Sequence, residues 1–141
     1  MGEKKFDFWQ DHSLRFLEMA FRTDRRERLE RPDGYGKNMS GCGDAVEMFL
    51  MVEGGRIQSI SFIASGCMNT NACANTVAQL AEGRSLEEAR EITPGDVIGY
   101  LETLPEESAH CAELALGALY TALSRVKRNP PVDAGKTGGP L

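Results

Sequence analysis

Apolar residues recur along this chain with two different periods. Over residues 6–22, FDFWQDHSLRFLEMAFR, Trp9, Ser13, Phe16 and Ala20 fall at helical spacing, and Leu14, Leu17 and Phe21 continue the apolar side. That spacing predicts an amphipathic N-terminal helix, on which His12 is a partly exposed packing residue. The runs AVEMFLMV (45–52) and RIQSISFIA (56–64) predict two strands. They are joined by EGG, whose Gly54 and Gly55 suit a tight hairpin turn.

Helical signals return after the hairpin. Residues 69–83 predict a helix capped by Asn69 or Thr70 and closed by Gly83. In SLEEAREI (85–92), Ser85 with Glu88 three residues on has the form of a capping box. Residues 93–104 open with Thr93 as cap and Pro94 in the first turn, where proline is tolerated. A long last helix starts near Glu106 to Ala109 and runs to about Arg128. Two stretches carry no period. RPDGYGKNMSGCGD (31–44) is a glycine-rich loop without dinucleotide-binding spacing, and NPPVDAGKTGGPL (129–141) is a disordered tail. The order of helix, hairpin and further helices predicts an α+β domain over 1–128, with helices on a small antiparallel sheet.

Composition narrows the function. A chain of 141 residues with 41% hydrophobic and 26% charged residues fits one globular domain. The net charge of −5 and the lack of a sustained basic face exclude a nucleic-acid binder. The basic cluster from Arg22 to Arg31 is interleaved with acids and reads as a solvated helix face. No apolar run approaches the ~20 residues that span a bilayer, and the N-terminus lacks signal-peptide layout. These features predict a cytoplasmic protein that engages no membrane. Thiols stay reduced there, so the four cysteines point to metal or sulfur chemistry rather than disulfides.

Three cysteines sit at element boundaries: Cys42 before the first strand, Cys67 after the second, and Cys111 in the first turn of the last helix. A hairpin brings the start of one strand beside the end of the other, so Cys42 and Cys67 become neighbours. A helix docked across that end adds Cys111. Asp44 lies two residues past Cys42 and points the same way on an extended segment. His110 stands next to Cys111. Gly41, Gly43 and Gly66 let backbone approach a sulfur or a bound group. A set of three thiolates, a carboxylate and an imidazole suits zinc, Cu(I) or an iron–sulfur cluster. Cys73 shares the apolar stripe of its helix with Val77 and Leu80 and reads as core. A zinc ribbon is excluded because its close C-x-x-C pairs are missing. Adjacent residues on a helix diverge, so His110 is a poor general base for a Cys111 nucleophile.

Together GCGD, SGC followed by a helix, and HC opening the last helix resemble the NifU/IscU family of iron–sulfur cluster assembly scaffolds, over about Phe6 to Arg128. The resemblance implies a three-stranded antiparallel sheet with helices on one face, the third strand coming from the region before Cys42. It implies that Cys42, Cys67 and Cys111 hold a nascent [2Fe–2S] or [4Fe–4S] cluster together with Asp44 and His110. Iron and persulfide sulfur from a cysteine desulfurase would supply the cluster, which then passes to apo iron–sulfur acceptor proteins. Cys111, at a helix N-terminus that favours thiolate, is expected to accept the persulfide.

Two departures matter. LPEES replaces the LPPVK segment that an Hsp70-type chaperone reads, so recognition by that chaperone is not implied. Zinc-dependent SufU-type sulfur carriers usually have an insertion between the second and third cysteines, and the stretch from Asn69 to His110 is too compact to hold it. A zinc-bound sulfurtransferase is therefore the second reading and the scaffold the first. A homo-oligomer is compatible with either.

Overall fold

A computed structural model of the chain describes residues 13–41 and 43–126. Trp9, His12, Cys42 and the expected tail lie outside the described residues, as do the first half of the expected N-terminal helix and positions 127–128 of the last. Three strands, β1 (Gly34–Met39), β2 (Ala45–Glu53) and β3 (Arg56–Ser65), form one antiparallel sheet in the order β1-β2-β3. Among the described residues there are also five α-helices: α1 (Leu14–Phe21), α2 (Met68–Ala81), α3 (Leu86–Arg90), α4 (Pro94–Leu101) and α5 (Ala109–Ser124). None is long and apolar enough to cross a membrane. The α+β class and the three-stranded sheet are as expected.

The register defines a functional end of the sheet. Met39 pairs with Ala45, and Ala45 with Ser65. The end of β1, the start of β2 and the end of β3 are therefore level. At the opposite end Gly54 and Gly55 turn the β2–β3 hairpin with φ of 63° and 77°, a region that costs other residues energy.

Strand β1 lies within the expected glycine-rich loop, and its sequence GYGKNM follows from what packs on it. Helix α5 lies along β1 and β2, and α2 along β3. A Cβ on Gly36 would stand 2.3 Å from the Ala118 carbonyl oxygen and 2.4 Å from the Ala122 nitrogen. Only glycine lets the strand and the alanine-rich helix approach so closely. The contact is reciprocal, because a Cβ on Gly117 would stand 2.3 Å from Asn38 Nδ2, which donates to the Leu114 carbonyl. The inner face of α5, Leu114, Ala115, Ala118, Leu119 and Ala122, is buried. It packs with Val46, Met48 and Leu50 of β2 in one core. The helix itself ends at Ser124, short of the expected Arg128.

Helix α1 differs from its expected face. Ser13 is the N-cap, accepting from Phe16 N, and the buried residues are Phe16, Leu17, Met19 and Ala20. Leu14 and Phe21, expected on the apolar side, are 85% and 59% exposed. The helix packs against α2 and, less extensively, α4, so only one stripe turns inward. Its end is set by α2. Asn71 Nδ2 donates to the Ala20 carbonyl and Asn75 Nδ2 to those of Met19 and Arg22, taking up carbonyls that a continuing helix would use.

The arginine-rich segment that follows is not the helix face expected of it. It runs as an extended strip beside β3, with Phe62 N donating to the Arg25 carbonyl and Glu27 N to that of Phe62. Two of its arginines find distant partners, Arg25 with Glu82 and Arg28 with Glu47, while Arg22 pairs locally with Asp24. On the outer face of the sheet Arg28 and Tyr35 cover the buried ring of Phe49. Tyr35 Oη donates to Glu47 at 2.6 Å, and this bond, with Arg28 beside it, holds the Glu47 carboxyl below the ordinary carboxylate range.

Candidate functional site

Three chain segments meet at the level end of the sheet. The β1–β2 connection, residues 40–44, is a tight loop in which Ser40 N donates to the Asp44 carbonyl at 2.8 Å and Asp44 N to Ser40 Oγ at 3.1 Å. These bonds fix Asp44, while Cys42 of the same loop is outside the described residues. Beyond β3, Gly66 and Cys67 lead directly into α2. From the other side comes α5, entered through a 3₁₀ turn over Glu106–Ser108. Asn69 Nδ2 donates to Ser108 Oγ at 3.0 Å and ties the starts of the two helices together.

The predicted residues converge here. One donor atom each from Asp44, His110 and Cys111 lies within 4.8 Å of the others. The Cys111 sulfur is 3.8 Å from His110 Nε2, and His110 Nδ1 is 3.2 Å from the Glu107 carbonyl. A proton on Nδ1 satisfies that carbonyl and leaves the Nε2 lone pair toward the site. The expectation that His110 diverges from Cys111 is corrected by this contact, because the imidazole is long enough to span the angle between adjacent helical positions. Cys111 is 1% exposed, His110 and Cys67 are exposed, and Asp44 is half-buried.

Cys67 is the N-cap of α2, the place expected for Asn69 or Thr70, and no side-chain hydrogen bond caps this helix. Thr70 has a different position, at the centre of the group. Its Oγ1 lies 3.5 Å from Asp44 Oδ2, 3.6 Å from Cys111 Sγ and 4.0 Å from Cys67 Sγ. Sequence reasoning missed this residue. The available signal was a small hydroxyl one turn beyond a boundary cysteine. Gly66 provides the space, since a Cβ there would stand 2.7 Å from Thr70 Oγ1 and 3.1 Å from Asp44 Cγ. Cys73 is fully buried in the core, and burial pushes its thiol well above the ordinary range, with Cys111 and Cys67 adding to the shift. A thiol held neutral in this way is a poor metal ligand.

The donor set is soft sulfur with one imidazole and one carboxylate, chemistry that fits iron in a sulfide cluster or zinc. No side-chain hydrogen bond caps the start of either α2 or α5, and α5 is entered from the 3₁₀ turn with Ala109 N donating to the Glu106 carbonyl.

Residues 26–131 match the family described as NifU-like N terminal domain. The chain is 32% identical over 108 residues to iron-sulfur cluster assembly scaffold protein IscU 1 of Archaeoglobus fulgidus, covering 75% of this chain and 71% of that one. It is 30% identical over 115 residues to the nitrogen fixation protein NifU of Cereibacter sphaeroides, covering 81% and 47% respectively. Among solved structures, it is similar in fold to a scaffold protein for the SUF system from Fervidobacterium islandicum, with a TM-score of 0.67, 17% identity and coverage of 83% and 99%. It is likewise similar to the N-terminal NifU-like protein of Brucella abortus, with a TM-score of 0.65, 20% identity and coverage of 83% and 95%. With three quarters of its length matched, the chain belongs to the NifU-like N-terminal domain family.

Proposed function

We propose that this protein is a scaffold on which an iron–sulfur cluster is built and then handed to apo-proteins. The observation that carries the reading is the group of Asp44, His110 and Cys111, with Cys67 joined to it through Thr70, at the end of the sheet where two helices begin without side-chain caps. Cys42, in the loop that fixes Asp44, completes the proposed ligand set. Iron and sulfide are substrates here, and the protein supplies donors, orientation and partial shelter from water.

Sulfur delivery is a thiol exchange. The Cys111 thiolate attacks the terminal sulfur of a persulfide on a cysteine desulfurase. A sulfur–sulfur bond forms at Cys111 as the one to the desulfurase cysteine breaks, and that cysteine leaves as thiolate. Two electrons from an external reductant then convert each delivered sulfur to sulfide. Because Cys111 is nearly closed to solvent with the exposed His110 ring against its sulfur, displacing that ring opens the path. Asp44 is the hard ligand of the set and the least matched to cluster iron, which favours release.

The second reading, a zinc-bound sulfur acceptor, draws support from the same donors. Anaerobic incubation with desulfurase, cysteine, ferrous iron and a reductant separates the two. The scaffold reading expects iron and acid-labile sulfide to remain on the protein after gel filtration, and early-time peptide mass spectrometry to find the added sulfur mainly on Cys111. Persulfide without bound iron or sulfide, at a site that keeps zinc, would favour the acceptor instead.

A further inference from the structure

Thr70 is fully buried, and a buried hydroxyl must find a hydrogen-bond partner. Further along the same helix Thr76 donates to the Ala72 carbonyl at 2.8 Å, whereas Thr70 stands in the first turn, where the residue four back, Gly66, precedes the cap. Thr70 instead faces Asp44, Cys111 and Cys67. Asp44 Oδ2 can only accept its hydrogen, whereas either atom could donate in the two sulfur contacts, and a cysteine that serves as a thiolate ligand can only accept. The 3.6 Å contact to Cys111 Sγ is ordinary for a bond to sulfur, whereas 3.5 Å to Asp44 Oδ2 is at the outer limit for two oxygens.

We propose that Thr70 is a positioning residue of this site, donating its hydroxyl to the Cys111 sulfur while keeping the Asp44 carboxylate beside it without clamping it. The inference rests on the metal- and cluster-binding reading above and deepens it. A hydrogen bond to an ionised sulfur is charge-assisted, so it favours Cys111 as a thiolate ligand and fixes its direction. Asp44, held more loosely, stays exchangeable. Gly66 belongs to the same device, because any side chain there would displace the hydroxyl.

The test uses Co(II) as a spectroscopic probe of the full-length protein under anaerobic, reducing conditions. The thiolate-to-cobalt charge-transfer band reports both affinity and the electron density on sulfur. Thr70→Val keeps the shape and removes the donor. It is expected to bind Co(II) about tenfold more weakly and to move the band to lower energy, since sulfur loses a hydrogen bond. Thr70→Ser restores the hydroxyl and is expected to return both quantities close to wild type, which a purely space-filling role would not do. If Thr70→Val fails to fold, Thr70→Ala compared with Thr70→Ser gives the same contrast. Wild-type affinity and an unmoved band in the variant lacking the hydroxyl would overturn the role of Thr70 alone. A wild-type protein showing no thiolate-to-cobalt band would overturn the site reading and this inference with it.

Discussion

Helix starts are built in two ways in this molecule. Away from the site, α3 and α4 each open with a complete capping box, Ser85 with Glu88 and Thr93 with Asp96. At the site, α2 and α5 open with Cys67 and Ser108 in the cap position and no side-chain cap at all. A side-chain cap is worth about 1 kcal/mol. Two helices that pack the core along their whole length thus forgo local stability at one end only, where the thiols, the carboxylate and the imidazole meet. The capped starts serve the fold, and the starts without side-chain caps are where Cys67 and Cys111 stand near Asp44 and His110.

The largest expected effect concerns what holds the open end in position. Gly36→Ala would push a methyl against the backbone of α5, which cannot yield as a side chain can. We expect a loss of about 3 kcal/mol in denaturant unfolding, in the upper range for overpacking. A loss below about 1 kcal/mol would mean that α5 is not pinned to β1.

Substitutions at the helix starts sharpen the contrast. Ser85→Ala and Thr93→Ala should each cost about 1 kcal/mol and leave metal binding unchanged. Cys67→Ser should do the reverse, supplying the cap that α2 lacks, so that stability holds or rises slightly while metal retention falls. Paired unfolding and Co(II) titrations check all three. A destabilised Cys67→Ser protein that still binds metal normally would erase the difference between the two kinds of start.

The smallest effect is one of pH, on the sheet face away from the helices. The Glu47 carboxyl is lowered by the Tyr35 hydroxyl and by Arg28. A lowered folded value means that its contribution is complete above the ordinary glutamate value of about 4.3 and disappears as pH falls through the folded value. The stability difference between wild type and Glu47→Gln should therefore shrink on going from pH 7 to pH 3, with metal binding at pH 7 unaffected. A difference that stays constant with pH would assign the effect to packing.

How far the sequence could be read follows from which interactions are local. The hairpin of β2 and β3, the Ser85–Glu88 capping box and the Thr93 cap rest on residues a few positions apart and were legible, whereas the reciprocal Asp96 bond that makes the second start a full box was not. Strand β1 was visible only through family resemblance, because Gly34 and Gly36 answer to α5, some eighty residues away. The strip after α1 looked helical because its charges alternate, yet Asn71 and Asn75 end the helix from outside. At the site, boundary position marked Cys67 and Cys111, and the helix stripe marked Cys73. Thr70 was not legible as a site residue, since its role depends on Asp44 and Cys111 arriving from two other segments.

The most direct measurement is cluster retention, cysteine by cysteine, after anaerobic reconstitution. Cys67 and Cys73 stand on one helix segment six positions apart, one exposed at its uncapped start and the other buried in the core. Iron and acid-labile sulfide are quantified after gel filtration for wild type, Cys67→Ser, Cys111→Ser and Cys73→Ser, with folding checked by circular dichroism. The account predicts a large loss in both Cys67→Ser and Cys111→Ser, with Cys73→Ser close to wild type per folded molecule. Retention in Cys67→Ser and Cys111→Ser together with loss in a folded Cys73→Ser would contradict it.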